Sequence, residues 1–214
     1  MASRQGSKLM RTELIQELEQ TIPENLQREE RFLASEVSWL QYEALLTKLE
    51  DNSYYRLTYL DGVLEIVSPS RRHETVKKRI ATLLEVYFEE TNINYFPLGS
   101  TTLRKQERRG GTEPDESYCL GTEKEFPDLA IEVVLTSGGT DKLAVYKRLG
   151  VSEVWFWQDN QFSLYQLQGD SYQSITQSEL LPNLDLQLLA ECVQTANPLE
   201  AVKKWRQSLR GESF

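Results

Sequence analysis

The stretch Gly111–Val154 reads GTEPDESYCLGTEKEFPDLAIEVVLTSGGTDKLAVYKRLGVSEV. Two largely apolar segments within it are separated by the polar run Thr122–Glu125, which predicts two strands joined by a hairpin loop. The glycine pair Gly138-Gly139 then makes a turn before a segment with helical spacing that ends at Gly150, and another apolar run follows. The stretch therefore predicts the order strand, turn, strand, helix, strand.

Two acidic residues project from these otherwise apolar strands. Asp115 lies on one face of the first strand and Glu132 on one face of the second, because side chains alternate along a strand. With Thr122–Glu125 as the loop, residue numbers across an antiparallel ladder sum to about 247, which places Asp115 opposite Glu132. Directly opposed residues have Cβ atoms about 4.5 to 5.5 Å apart. Two like charges at that distance are destabilising unless one takes a proton or a cation lies between them.

A divalent metal ion between Asp115 and Glu132 is the sharper interpretation of this pair. The alternative is that the carboxylates face solvent at a sheet edge, or that one of them pairs with a lysine. Asp128 does not join the same ion, because roughly 13 Å separates its Cα from that of Glu132 along the strand. Asp128 follows Pro127 at the strand entrance and is predicted to hold the turn or a neighbouring backbone amide.

Four motifs occur in order along the chain: YLDGVLEIVSPSRRHE, EPDESYCLG, PDLAIEVV and DKLAVYKRLGVSEVWFW. Together they resemble the Uma family of restriction-endonuclease-like proteins, members of the PD-(D/E)XK nuclease superfamily. The resemblance runs from about Trp39 to Gln166. It implies an α/β fold with a restriction-endonuclease-like core, in which a mixed β-sheet is flanked by helices.

The resemblance also implies a set of active-site residues. The superfamily places an aspartate on the second core strand and a glutamate on the third, and these positions correspond to Asp115 and Glu132. An acidic residue on the first core helix corresponds to Glu74, which we predict as the third carboxylate, with His73 beside it. The implied catalytic set therefore begins with these three carboxylates.

The third core strand departs from the superfamily at the lysine of its E-x-K motif. That position is Val134, and the candidate replacement is Lys142 on the following helix. Thr140 is the predicted N-cap of that helix, so Lys142 lies in its first turn, where free backbone amides attract anions. We expect Lys142 to project toward the carboxylate pair, supported by Tyr146 one turn later on the same face.

The chain has 214 residues, of which 39% are hydrophobic and 27% charged, which is typical of a globular protein with one sizeable core. We predict a domain over residues 35–196, an N-terminal helix and linker over residues 1–34, and a C-terminal helix over residues 197–214. No apolar run reaches the roughly 18 residues of a membrane span, and no secretory core is evident, so we expect a cytoplasmic protein. Cys119 and Cys192 lack metal-ligand spacing and are expected to be buried, reduced thiols.

The formal net charge of −9 repels polyanions at long range, so any contact with nucleic acid must be local. Two basic patches interrupt the acidic composition. The predicted nucleic-acid-binding residues are Arg71, Arg72 and Lys77 near Glu74, and Arg104, Arg108 and Arg109 in the loop before Asp115. Both patches would flank a phosphate backbone that approaches the acidic site. The alternative is that these are ordinary solvated charges.

Local signals predict three further elements. A core-packing helix is predicted from Trp39, Asp61-Gly62 predicts a β-hairpin, and Asn197-Pro198 predicts the start of a last helix. Glu65 breaks the apolar pattern of the hairpin and is predicted to lie on a solvated face; the alternative is that it reaches the carboxylate cluster.

Asp115 and Glu132, with Glu74 or the neighbouring backbone, are expected to hold Mg²⁺ or Mn²⁺, because hard oxygen ligands without clustered cysteine and histidine disfavour zinc. The prediction is a metal-dependent endonuclease that hydrolyses DNA phosphodiester bonds, with Lys142 assisting. A homodimer would suit double-strand cleavage. One alternative is a nuclease-fold binding or structural protein without catalysis, which Val134 and the charge of −9 favour. Another is a subunit whose partner supplies a basic surface.

Overall fold

The computed structural model describes residues 29–49, 54–136 and 139–211. Its strands are β1 (Glu30–Ala34), β2 (Arg56–Leu60), β3 (Val63–Ser68), β4 (Tyr95–Pro97), β5 (Leu103–Lys105), β6 (Gly110–Thr112), β7 (Glu116–Leu120), β8 (Leu129–Val133), β9 (Glu153–Gln158), β10 (Gln161–Gln168) and β11 (Ser171–Ile175). Its helices are α1 (Trp39–Leu49), α2 (Arg71–Glu90), α3 (Lys142–Leu149), α4 (Leu186–Gln194) and α5 (Pro198–Leu209).

The strands of the described residues are divided between two sheets, where the sequence predicted one. The first is five-stranded in the order β1-β3-β2-β6-β5, and the second is six-stranded in the order β11-β10-β9-β8-β7-β4. The two sheets separate where β6 leads into β7, because β6 pairs with β2 and β5 whereas β7 pairs with β8 and β4. The predicted combination of mixed strands and flanking helices is confirmed.

The β2-β3 hairpin turns at Asp61-Gly62, as the sequence predicted. The φ angles are 48° for Asp61 and 96° for Gly62, and both values are positive as a two-residue type I′ hairpin turn requires. Leu60 pairs with Val63 directly across the turn, so the register of the whole ladder follows from these two residues.

Strand β1 forms an edge of the first sheet by pairing antiparallel with β3. The sequence placed residues 30–34 in a linker, and this is wrong, because their backbone joins the β3 ladder and the Arg31 side chain lies 2.9 Å from Glu65. The predicted N-terminal helix lies in residues 1–28, outside the described residues. The proposed division into residues 1–34, 35–196 and 197–214 otherwise stays a prediction.

The six-stranded sheet is mixed because β8 runs parallel to β9 while its other ladders are antiparallel. Parallel strands need a crossover connection, and α3 lies within it. The connection between β7 and β8 is held by Asp128, whose Oδ2 accepts a hydrogen bond from the Leu120 backbone N–H at 2.7 Å. The structural role predicted for Asp128 is therefore confirmed.

Helix α2 lies at the centre of the largest core, where it packs against the six-stranded sheet, α4 and α5. Trp205 of α5 is fully buried and donates from Nε1 to the Leu83 carbonyl oxygen of α2 at 2.8 Å. The side chain of Asn197 caps α5 by accepting from the Leu199 N–H, and Pro198 occupies the first turn, as predicted.

Helix α3 begins one residue later than the sequence predicted. Its N-cap is Asp141, whose Oδ1 accepts from the Ala144 N–H at 3.1 Å, and the helix ends at Gly150 with a φ of 81°. The predicted cap, Thr140, instead donates its backbone N–H to Glu65 Oε2 at 3.0 Å. An aspartate competes well for the cap position because its carboxylate also interacts favourably with the positive end of the helix dipole.

Glu65 is 1% exposed, so its prediction as a solvated residue is wrong. The Arg31 guanidinium and the Thr140 amide compensate its charge inside the protein.

The two cysteines are buried and free, as predicted. Among the helices that the structure describes, none combines the length and the apolar character that a membrane crossing requires.

Gly111 of β6 provides a test of how tightly the first sheet packs against α1. A Cβ atom at this position would lie 2.5 Å from the Tyr42 hydroxyl oxygen and 3.0 Å from the ring. We expect Gly111→Ala to lower the free energy of unfolding by about 1–3 kcal/mol, because Tyr42 is fully buried and cannot move freely. Chemical denaturation measures the change.

Tyr42→Phe is the matched variant for this test. Within the described residues the Tyr42 hydroxyl is buried without a hydrogen-bond partner, so its removal alone should change stability little. Combined with Gly111→Ala, it should restore part of the lost stability, because the closest clash is gone. Strict additivity of the two variants would contradict this account.

Candidate active site

Asp115 and Glu132 lie opposite each other at the end of the β7-β8 ladder. The structure pairs Ser117 with Ala130 and Glu116 with Ile131, and the same register continues to Asp115 and Glu132. This is the register that the sequence predicted. Both carboxylates are buried, at 5% and 6% exposure, and both line a cavity of about 420 Å³ between the two sheets and the start of α3.

Asp115 is held by two hydrogen bonds to a single oxygen. His73 Nε2 of α2 lies 3.1 Å from Asp115 Oδ2, and the Val133 backbone N–H of β8 donates to the same oxygen at 2.7 Å. The side chain is therefore fixed by one helix and by the strand that carries Glu132. Ser70 caps α2 by accepting from the His73 N–H, which places the imidazole at the entrance of the helix.

Glu132 is held by two side chains of α3. Lys142 Nζ donates to Glu132 Oε1 at 3.0 Å, and the Tyr146 hydroxyl donates to the same oxygen. Lys142 also donates to Thr112 Oγ1 at 3.1 Å, which links α3 to β6. The predicted direction of Lys142 is confirmed, whereas Val134, at the usual lysine position, lines the cavity without a charge.

The two carboxylates have opposite pKa shifts. Burial acts most strongly on Asp115 and would raise its pKa, but the hydrogen bond and positive charge of His73 outweigh burial and hold the pKa below its usual value. Burial raises the pKa of Glu132; the Lys142 ammonium opposes this, and the Asp115 carboxylate adds to it. Each carboxylate therefore has its own cationic partner, His73 for Asp115 and Lys142 for Glu132.

Glu74 does not join the pair as a third carboxylate. Its side chain is 44% exposed, and its Oε1 lies 3.7 Å from His73 Nδ1, so the imidazole stands between Glu74 and Asp115. Lys77 Nζ binds Glu74 Oε2 at 2.9 Å. The nearby His73 imidazole, together with Lys77, lowers the pKa of Glu74 to about 2. The residue assists Asp115 only through His73, since the helix turns its carboxylate outward.

The first basic patch surrounds the start of α2 but is divided in its contacts. Arg71 and Arg72 are exposed and line a separate cavity of about 640 Å³ with Trp157. Lys77 is engaged by Glu74 and by Ser100 Oγ at 3.4 Å. Binding of nucleic acid by these residues stays a prediction.

The second basic patch lies at the other end of α3 from Lys142. Its predicted nucleic-acid-binding residues are Arg104, Arg108 and Arg109. Next to Arg104 on β5, Lys105 Nζ donates to the carbonyl oxygen of Leu149, the last residue of α3, at 2.9 Å. The helix has eight residues and spans about 12 Å. This patch therefore packs on the far end of the helix, and its part in binding nucleic acid stays a prediction.

Two of the cations that line the cavity were not predicted from the sequence. Arg31 and Arg56 are both among its lining residues, and Arg31 is paired with Glu65. His73 was placed beside Glu74, but its bond to Asp115 was not foreseen. Its position at the N-terminus of a helix, directly after a proline turn, is the signal that could have identified it.

A family model described as Uma2, "Putative restriction endonuclease", matches residues 39–197. The chain belongs to the Uma2 family. The family is restriction-endonuclease-like, which agrees with the predicted resemblance and with the α/β architecture. A comparison with curated proteins found no match.

The carboxylate pair of this Uma2 chain fits a hard divalent cation. Within the described residues, Asp115 Oδ1 and Glu132 Oε2 accept no hydrogen bond, because each side chain uses its other oxygen. No cluster of three or more histidine, cysteine, aspartate or glutamate side chains with metal-binding geometry occurs in that part of the chain. Two carboxylates with ordered water suit Mg²⁺ or Mn²⁺, and the set does not suit zinc.

His73 allows a direct test of this electrostatic arrangement, because it is the single histidine of the sequence. Burial disfavours its charged form, but the bond to Asp115 and the nearby Glu74 carboxylate outweigh burial and raise its pKa from 6.5 to about 10. In chelator, NMR of the imidazole should therefore show a protonated ring at neutral pH. The stability that this proton contributes is complete below pH 6.5 and is lost as the pH rises toward 10.

Asp115→Asn should lower the pKa of His73, because burial lowers this pKa and the Asp115 charge that opposes burial is then missing. Asp128→Asn is the matched control, since its carboxylate lies in the β7-β8 connection outside the cavity and holds the Leu120 amide. An imidazole that titrates near 6.5 in the unaltered chain would contradict the geometry.

Proposed function

We propose that this Uma2 protein is a metal-dependent nuclease that hydrolyses DNA phosphodiester bonds. The observation that carries the proposal is the opposition of Asp115 and Glu132 across the β7-β8 ladder, with Lys142 bound to Glu132. The restriction-endonuclease-like family supports the same class of reaction. A cavity that brings together two carboxylates and a lysine provides the groups that a phosphodiester hydrolase needs.

Asp115 and Glu132 would hold Mg²⁺ or Mn²⁺, and restriction-endonuclease-like proteins generally use divalent metals. When bound, such an ion lowers the pKa of a water ligand and offsets negative charge on the phosphate. The chain prepares the site for it. His73 and the Val133 amide orient Asp115, and the Tyr146 hydroxyl orients Glu132, so neither side chain must be ordered when substrate arrives.

Lys142 supplies the positive charge that Val134 lacks. Its ammonium is fixed by Glu132 and Thr112 at the cavity wall, where it would face the reacting phosphate. A preorganised cation stabilises charge that develops on a phosphoryl oxygen without the cost of reorientation during the reaction. The lysine that the superfamily carries on the strand is thus replaced in function by a lysine on the next helix.

A catalytically inactive nuclease-fold protein is the second candidate. It is favoured by a specific observation, namely that His73 and Lys142 already compensate the two carboxylates without any metal ion. The pair is therefore stable in the folded protein whether or not catalysis is retained. A homodimer and a cytoplasmic location remain part of the first proposal and await their own measurements.

The purified protein should cleave DNA in Mg²⁺ or Mn²⁺ and not in chelator. Asp115→Asn and Glu132→Gln should each abolish cleavage and weaken Mn²⁺ binding, because an amide keeps the shape but loses the charge that holds the ion. Asp128→Asn, the matched carboxylate outside the cavity, should change neither property. Gel assays and calorimetry give the two readouts. Absence of both Mn²⁺ binding and metal-dependent cleavage would establish the inactive alternative.

Lys142→Met should separate catalysis from metal binding. We expect cleavage to fall by roughly 10² to 10³, the usual effect of removing one preorganised electrostatic contact, with Mn²⁺ binding retained. Lys147→Met is the control, because Lys147 is exposed on the same helix. Equal activity of the two variants would remove Lys142 from the proposed mechanism.

A further inference from the structure

We infer that the cavity contains a nucleobase subsite formed by Phe156, Tyr165 and Gln158, and that the DNA substrate is therefore single-stranded. This inference rests on the proposed nuclease function and specifies its substrate. The three residues belong to β9 and β10 and line the same cavity as Asp115, Glu132 and Lys142.

Phe156 lies directly beside Glu132. The parallel ladder of β8 and β9 pairs these two residues, and adjacent strands are about 4.8 Å apart, so both side chains project from the same face of the sheet. The neighbouring residues Trp155 and Trp157 project from the other face, where they are buried in the main core. The tryptophans therefore account for core packing, and Phe156 faces the candidate active site.

Tyr165 completes an aromatic corner with Phe156. Tyr165 pairs with Val154, which lies on the same face of β9 as Phe156. The two ring centroids are 5.7 Å apart and the ring planes meet at 83°. Both side chains are half-buried, so part of each ring is open to the cavity. A planar base can stack on one ring while its edge contacts the other, and such stacking accepts any base.

Gln158 lies two residues after Phe156 on β9, so its side chain projects from the same face of the sheet. Its side chain is exposed and lines the cavity, and its amide offers both a donor and an acceptor. An amide at this position can hydrogen-bond the edge of a stacked base. The combination of an aromatic corner, a polar amide and an adjacent pair of carboxylates matches a nucleotide, with its base on the sheet and its phosphate at the acidic residues.

The recessed position of the carboxylates favours a single strand over a duplex. Asp115 and Glu132 are almost fully buried at the wall of a cavity of about 420 Å³, which is near the lower end of the size range of small-ligand pockets. A base within a duplex is stacked on both faces and must be extruded before it can reach a protein ring. The net charge of −9 also provides no long-range attraction for a rigid duplex.

The test uses a short single-stranded DNA that carries 2-aminopurine, whose fluorescence is quenched when the base stacks. We expect quenching on addition of the full-length protein, measured in Mg²⁺ by stopped flow and in chelator at equilibrium. Phe156→Ala and Tyr165→Ala should each reduce the quenching and weaken binding by about 5- to 150-fold, the range for loss of one stacked base. A duplex of the same sequence should bind more weakly than the single strand.

Phe96→Ala is the matched control, because Phe96 is 37% exposed on the edge strand β4 and does not line the cavity. It should leave quenching unchanged. Mn²⁺ binding by Phe156→Ala should equal that of the unaltered protein, which shows that the variant is folded and its acidic site intact. Unquenched fluorescence in both buffers, or equal binding by Phe156→Ala and Phe96→Ala, would overturn the subsite.

Failure of the subsite and failure of the proposed function give different results. Metal-dependent cleavage that is unaffected by Phe156→Ala and Tyr165→Ala removes the subsite and leaves the nuclease. Quenching that depends on Phe156, without cleavage of any DNA in Mg²⁺ or Mn²⁺, removes the nuclease and leaves a single-strand binding site. A duplex that binds more tightly than the single strand overturns the substrate assignment.

Discussion

The site depends on one constraint, the antiparallel register of β7 and β8. That register brings two carboxylates to opposite positions at the end of a ladder, where both are almost fully buried. Uncompensated like charges at such a separation would oppose folding. The fold resolves this conflict with cations from two separate helices, His73 from α2 and Lys142 from α3. The position of each helix relative to the sheet is therefore tied to the charge state of the site.

The compensation is asymmetric, and the asymmetry has a chemical use. Asp115 receives a histidine and a backbone amide and is held in its ionised form, whereas Glu132 shares its charge with a lysine and a tyrosine and is protonated more easily. A cation that enters the cavity thus meets one carboxylate held in its charged form and a second whose Oε1 is already engaged by Lys142 and Tyr146. The protein carries a formal charge of −9, and yet its cavity wall includes Arg31, Arg56 and Lys142.

Local sequence patterns predicted the structural features that depend on neighbouring residues. The period of two and the length of one polar loop were sufficient for the β7-β8 register, and a helix that returns to the same sheet end was sufficient for the direction of Lys142. The interactions that escaped prediction join residues far apart in sequence. From the sequence alone Glu65 resembles a surface residue, because its partners Arg31 and Thr140 are distant along the chain. His73 likewise resembles an ordinary helix-start residue, because its contact with Asp115 forms only in the folded protein. The division into two sheets was missed for the same reason, because alternation along a strand does not specify its partners.

The bond between Trp205 and the Leu83 carbonyl oxygen joins residues 122 positions apart. At synthesis rates of about 5 to 20 residues per second, the indole reaches its partner on the order of ten seconds after α2 has been made. Throughout that interval the apolar stripe of α2 lacks the tryptophan that closes its core. The chain must therefore complete its largest core late during biosynthesis, and until then this helix is the segment that a chaperone or an aggregating neighbour would contact.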